Sequence, residues 1–189
     1  MTITQIRKVA LTQFIEKGYE GASLSDIANE VGIKKQSIYT HYKSKDELFL
    51  SVMSQVIDEE TEFLHDFFSR SYTSLRDYLE RFVLELQNRY LKSDESNIKF
   101  VLRMAYMPPT HLKDKAVESF NLYFLELEAL VHNKFAQDNE LSKKADDATL
   151  AFMTMLDGLL ISLIYGGADR FTQKFKASWG IYWAGLFRS

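Results

Sequence analysis

Residues 23–48, SLSDIANEVGIKKQSIYTHYKSKDEL, constrain the fold more than any other stretch of the chain. Leu24, Ile27, Ala28 and Val31 recur at i, i+3, i+4 and i+7, which lays one apolar stripe along a helix of about two turns. Ser23 stands where an N-cap belongs, with Asp26 three residues on as an approximate capping box whose carboxylate suits the helix dipole. Gly32 ends the helix, because glycine takes the left-handed conformation after a C-terminus most readily. From Lys34 the pattern changes: Ile38 and Tyr42 face inward, while Lys35, Gln36, Tyr39 and Thr40 fall on the other side. Ser44 and Glu47 form a second capping box and open a helix in which Leu48, Val52 and Val56 keep a four-residue rhythm.

Two helices joined by a short turn containing glycine, the second presenting hydrogen-bonding side chains, make a helix-turn-helix arrangement. Lys34, Lys35, Lys43 and Lys45 occur here with no acidic residue between them, and charge of that sign neutralises phosphates. The same spacing also describes a helical hairpin with a solvated basic face, so the spacing alone leaves both readings open.

The stretch resembles the DNA-binding module of the TetR family of bacterial transcriptional repressors. The resemblance is carried by Gly18-Tyr19, Ser23, Ile27-Ala28, Val31-Gly32-Ile33, Tyr39, His41-Tyr42, Lys43-Ser44-Lys45 and Leu48. It implies a reader of double-stranded DNA in which Lys34, Lys35, Gln36, Ser37 and Thr40 belong to the recognition segment. Lys35, Gln36 and Thr40 are the candidates for base edges, since a Gln makes a bidentate bond to adenine. Ser23, Tyr39, His41 and Lys45 are the candidates for phosphates. Lys34 and Gln36 stand where the family commonly has a Ser or Thr cap and a small residue, which makes the sequence preference individual to this chain.

Charge places any nucleic-acid role at this end. Residues 1–50 hold 7 Lys+Arg and 6 Asp+Glu, whereas residues 51–189 hold 16 and 20. The chain has 0 Cys, which removes disulfides, thiolate nucleophiles and cysteine redox switches. No HExxH, P-loop, GxGxxG or GxSxG motif occurs, and His41, His65, His111 and His132 lack ligand spacing, so neither enzyme, metal site nor cofactor is expected. Arg7 and Lys8 are not followed by an uninterrupted apolar run, and a cytoplasmic protein is expected. The apolar stretch from Leu150 to Ala168 has Asp157 at its middle, where a carboxylate costs about 2.5–3.5 kcal/mol on membrane-insertion scales, so it reads as a buried or subunit-facing helix.

The remaining periodicity predicts an all-α chain of about nine helices. A first helix over 3–17, with Ile6, Ala10 and Phe14 stacked, ends at Gly18 and completes a three-helix core. A fourth runs from Lys45 to Ser69 with no flexible linker and would carry a shift at its far end to the recognition helix as a rigid body. Ser74 caps a fifth that ends near Lys92-Ser93-Asp94; others cover 97–106, stopped by Pro108-Pro109, then 113–135, 142–165 and 171–187. The expected division is a helix-turn-helix domain over 1–47 and a larger effector-binding and dimerisation domain over 48–189.

The family resemblance also implies a small-molecule pocket and a homodimer held by the last two long helices. Plausible pocket lining is Phe67, Phe82, Phe100, Met104, Phe120, Tyr123, Phe124 and Met153, with Phe63 and Tyr78 beside them, although an aromatic stripe at helical spacing is equally plain core. Arg103 and Asp157 are sharper candidates, because a charge on a mostly apolar segment is paired, at an interface, or met by a ligand. Met155, Leu159, Ser162, Phe175, Trp179, Tyr182, Trp183 and Leu186 are the candidates for the subunit seam. The expected function is a dimeric repressor on a pseudo-palindromic operator, released by an effector. The alternative is a helical protein-interaction or small-molecule-binding protein without DNA function.

Overall fold

The computed structural model describes residues 3–92 and 95–187. Among them every regular element is helical: α1 (Ile3–Gly21), α2 (Leu24–Val31), α3 (Lys35–Tyr39), α4 (Lys45–Ser69), α5 (Leu75–Leu91), α6 (Ser96–Tyr106), a 3-10 turn (Thr110–Leu112), α7 (Lys113–Ala136), a second 3-10 turn (Ser142–Lys144) and α8 (Ala145–Leu186). The all-α expectation holds, and most boundaries fall within a residue or two of those read from caps and spacing. The expected turn at Ser93 and Asp94 lies outside the described residues.

Two glycines bend helices that otherwise run on. Gly18 (φ 72°, ψ 175°) breaks α1 after its long first segment, and a last short turn follows to Gly21. Gly167 (φ 71°, ψ −172°) divides α8 into arms of 145–166 and 168–186. Both sit in a region of backbone space that L side chains essentially never occupy. The loop expected between residues 165 and 171 is therefore reduced to a single non-helical residue.

Compactness groups the described residues into two units, and α4 and α7 contribute to both. The first comprises Met1–Glu62 and Ser93–Tyr123, so α6 and the Thr110–Leu112 turn group with the helix-turn-helix. Its core is built from Ile6, Ala10 and Phe14 of α1, Ile27 and Ala28 of α2, Ile38 of α3, Leu48 and Phe49 of α4 and Phe100 of α6, all buried. Phe49 is the hub, with its ring 5.1 Å from Phe14, 5.3 Å from Tyr19 and 5.8 Å from Phe100. This supplies the packing against the fourth helix that so small a three-helix unit needs.

The second unit comprises Phe63–Lys92 and Phe124–Ser189. Phe67, Phe68, Tyr78 and Phe82 form one ring cluster, with Phe82 5.2 Å from Phe67 and 5.0 Å from Phe68. Phe175, Trp179, Tyr182 and Trp183 form another along the second arm of α8. Among the described residues α8 is the one helix long and apolar enough to cross a membrane by length and composition. Phe152, Leu156, Leu159, Leu160 and Leu163 of its first arm are buried.

Candidate nucleic-acid interface

The turn between α2 and α3 is held by local chemistry. Ser23 Oγ accepts a hydrogen bond from the Asp26 amide at 3.0 Å, a cap worth about 1 kcal/mol to the helix it opens. At the other end Gly32 adopts φ 79°, ψ 34°; its amide donates to Asn29 O at 3.1 Å and that of Ile33 to Ala28 O at 2.9 Å. Carbonyls that the helix leaves open are thereby satisfied. Leu24, Ile27, Ala28 and Val31 are all buried, which fixes the face of α2 and the direction in which the chain leaves it.

The recognition helix α3 is short, and Lys34 at its N-cap makes no side-chain cap. It is seated instead by Ile38 and Tyr42, both buried, and by the Tyr42 amide donating to Ile38 O at 2.9 Å. On the opposite side Lys34, Lys35, Gln36, Tyr39, Thr40 and His41 are exposed and Ser37 is half-buried. Thr40 Oγ1 donates to Ser37 O at 2.7 Å, and the Lys35 ammonium stands 5.9 Å from the centre of the Tyr39 ring. The structure therefore brings seven of the nine DNA candidates onto one small, basic, hydrogen-bonding surface, with Ser23 half-buried at the start of α2.

Lys45 stands apart from that surface. Its Nζ donates to Tyr19 O at 2.8 Å and Ala22 O at 3.1 Å and lies 4.1 Å from the centre of the Tyr19 ring. Two of its three N–H groups are thus committed to the end of α1, leaving the third beyond these contacts. The α4 N-terminus is capped by Ser44 Oγ, which accepts from the Glu47 amide at 3.1 Å, while Glu47 Oε2 accepts from the Lys43 amide at 2.6 Å.

Beside Lys45, the Tyr19 hydroxyl donates to Asp46, and His111 Nε2 lies 3.3 Å from the same carboxylate oxygen. The Tyr19 hydrogen bond, aided by His111, holds the Asp46 carboxyl below the usual carboxylate range against a smaller opposing effect of burial. A carboxylate whose folded value is depressed contributes stability above its unfolded value and loses it as pH falls through the folded one. Asp46→Asn is accordingly expected to flatten the acid limb of the stability–pH curve below about pH 4, leaving the neutral-to-acid change smaller than in the wild type. Urea unfolding at a series of pH values measures this; parallel curves would remove Asp46 from the acid response. Neither Tyr19–Asp46 nor Asp46–His111 carries any spacing signal in the sequence.

The ten candidate pocket residues are divided between the units. Phe100, Arg103, Met104, Phe120 and Tyr123 belong to the first, and Phe67, Phe82, Phe124, Met153 and Asp157 to the second. Phe67, Phe82, Phe100, Met104, Phe120, Tyr123 and Met153 are buried. Arg103 is paired, donating from Nη1 to Ile15 O at 2.9 Å. Asp157 is exposed on α8, with desolvation by its neighbours raising its carboxyl above the ordinary range. A cavity of about 350 Å³ in the first unit is lined by other residues, including Arg7, Gln55 and Glu59. One of about 570 Å³ in the second involves Arg76, Glu140 and Trp183.

The candidate seam residues also divide. Leu159, Ser162, Phe175, Trp179 and Trp183 are buried within the second unit, and Met155, Tyr182 and Leu186 are half-buried. Trp179 Nε1 donates to Glu80 at 3.2 Å, and Tyr182 OH to Ala148 O at 2.8 Å. Exposed apolar side chains on α8 are Leu150, Ile161, Tyr165 and Ile181, the last at 76% exposure. Met155, Leu159 and Ile181 line an open apolar depression floored by Ala151, Gly158 and Ala177.

A capped helix, a glycine turn and a second helix anchored by two buried side chains, with a basic polar face turned outward, define a helix-turn-helix DNA-binding protein. Residues 6–52 match the family of bacterial regulatory proteins, tetR family. A relative from Staphylococcus epidermidis, the negative transcriptional regulator IcaR of the biofilm operon icaADBC, is 32% identical over 142 residues, covering 63% of this chain and 76% of its own. The chain belongs to the TetR family of transcriptional regulators. A TetR-family regulator from Agrobacterium tumefaciens superposes with a TM-score of 0.74 at 19% identity, over 94% of this chain and 95% of that one. FadR from Bacillus subtilis, solved in complex with stearoyl-CoA, superposes with a TM-score of 0.66 at 14% identity, over 96% and 97%.

Proposed function

We propose that this regulator represses transcription by occupying a pseudo-palindromic operator as a homodimer, and that a small-molecule effector releases it. The observation that carries the reading is the outward face of α3, where Lys34, Lys35, Gln36, Thr40 and His41 are exposed while Ile38 and Tyr42 hold the helix in place. Repression is supported by the negative regulation named for IcaR, and effector release by the acyl-CoA bound to FadR. Residues 1–47 serve as the DNA-binding domain and 48–189 as the effector-binding and dimerisation domain, acting in the cytoplasm without catalysis. Lys35, Gln36 and Thr40 read base edges; Ser23, Tyr39, His41 and the remaining N–H of Lys45 meet phosphates, with Lys34 and Ser37 at the start of the recognition segment.

Selection of bound fragments from the source genome, followed by shift assays at increasing salt, tests the reading. A single recovered consensus with two-fold symmetry is expected, and retention without sequence preference would count against it. Gln36→Ala is expected to relax preference at one base pair of each half-site by about 1–3 kcal/mol, measured by repeating the selection; an unchanged consensus would take Gln36 off the bases.

The proposed seam runs along α8, where Ile181 joins Met155 and Leu159 around small residues that allow close helix approach. Ile181→Asp is expected to shift the full chain from dimer to monomer in light scattering at micromolar concentration while leaving its helix content intact. A retained dimer would move the seam elsewhere.

A further inference from the structure

We infer that Arg103 and His111, which lie outside the helix-turn-helix, are positioning residues for DNA binding: together they clasp the end of α1 and set how the reading helices are held. The inference rests on the DNA-binding role and goes beyond it by naming residues remote in sequence that govern it.

The end of α1 is an unusual piece of backbone. After Gly18 (φ 72°, ψ 175°) the chain turns and delivers Tyr19 to the start of α4. A helix that stops this way leaves its last carbonyls without intrahelical donors, and the negative end of its dipole favours a cation. Arg103, in the last turn of α6, supplies both needs, donating from Nη1 to Ile15 O at 2.9 Å. A Cβ on Gly18 would stand 3.0 Å from Arg103 Nη2, so the guanidinium lies close against the glycine.

Eight positions on, past Pro108 and Pro109, the Thr110–Leu112 turn brings His111 to the other side of the same junction. Its ring centre lies 5.0 Å from that of Tyr19, and its Nε2 is 3.3 Å from Asp46 Oδ1. Asp46 in turn accepts from the Tyr19 hydroxyl and sits in the first turn of α4. Arg103 therefore grips α1 just before its break, and His111 grips Tyr19 just after it together with the beginning of α4. The helix-turn-helix hangs between these two points, because α2 follows α1 and α3 leads into α4. Releasing either grip lets the end of α1 relax and turns the outward face of α3 away from the position in which base edges and phosphates are met.

His111 faces a charged and aromatic junction. Asp46 is an anion, Tyr19 is a neutral phenol whose pKa is raised, and the Lys45 ammonium covers the Tyr19 ring. Glu20 adds a further negative charge beside Tyr19, and Lys113 follows on the same segment as His111.

The test uses the full-length chain and a duplex that the wild type recovers from a random-sequence pool. Arg103→Gln and His111→Gln are each expected to weaken binding about fivefold or more, with the slope of log K against log salt unchanged, because no phosphate contact is lost. Both variants should recover the same consensus as the wild type. Arg103→Lys, which still donates to Ile15 O, should restore part of the loss. Measurements are made well below the melting temperature of each variant, so that unfolding does not enter. Wild-type affinity in both Gln variants, a changed salt slope, or a changed consensus would overturn the positioning role. A wild-type chain that recovers no duplex would overturn the DNA-binding role and this inference with it, whereas intact wild-type binding with unaffected variants overturns the inference alone.

Discussion

Phe49→Ala is expected to lower the unfolding free energy by about 3–5 kcal/mol, the range for truncating a fully buried aromatic ring. Phe49 is 0% exposed, and its neighbours Phe14, Tyr19 and Phe100 come from α1 and α6 while Phe49 itself belongs to α4. Helices do not collapse freely onto a void, so the lost transfer energy and the cavity add. Domains of ordinary stability have about 5–15 kcal/mol in total, which places the variant near the threshold of folding. Phe49→Leu, which refills part of the volume, should lose less. Urea unfolding followed by circular dichroism measures both, and a loss below about 1 kcal/mol for the alanine variant would show that the ring is not the hub of the first unit.

Replacing Lys34, Lys35 and Lys43 together with Gln is expected to leave the fold intact and to remove most DNA affinity. All three are exposed, and the one ring contact among them, Lys35 with Tyr39 at 5.9 Å, is too loose to matter for folding. Each phosphate contact contributes about 0.9 to the slope of log K against log salt. With Lys34 and Lys43 on phosphates, four such lysines in a dimer would reduce that slope by about 3.6, and the loss of Lys35 from the base edges weakens binding further. Titrations of a fixed duplex at several salt concentrations give the slope directly. An unchanged slope would mean that these lysines meet no phosphates, whatever the loss in affinity.

Boundaries marked by a cap were legible in the sequence because the signal is local. Ser23, Ser44 and Ser74 each accept a hydrogen bond from the amide three residues on, and Gly32 takes the left-handed conformation that its position demands. The continuation of α8 directly beyond Gly167 was not legible, since the Gly166-Gly167 pair reads as a helix terminus. The contacts that hold the DNA-reading unit are hidden for a different reason. Arg103 and Ile15 are 88 residues apart and His111 and Asp46 are 65 apart, so no periodicity registers either pair.

Aromatic residues near the end of the chain show how burial depends on helical phase. Trp179 and Trp183 are four residues apart and share a face, which Glu80 and Phe135 cover from within the same unit. Ile181 lies two residues from each and so points nearly opposite, where it is exposed. Aromatic richness alone drew attention to the tryptophans; the smaller side chain between them faces outward.

The single-residue bend at Gly167 has a consequence for how this helix can vary. With helix on both sides and no slack between, the two arms of α8 are geared: the angular setting of Met155 in one fixes that of Ile181 in the other. One residue inserted or deleted between Gly167 and Ile181 rotates everything beyond it by about 100° and shifts it by about 1.5 Å, swinging Ile181 out of the depression it shares with Met155 and pulling Trp179 or Trp183 from the core. This part of the chain can therefore diverge by substitution, while its length is held.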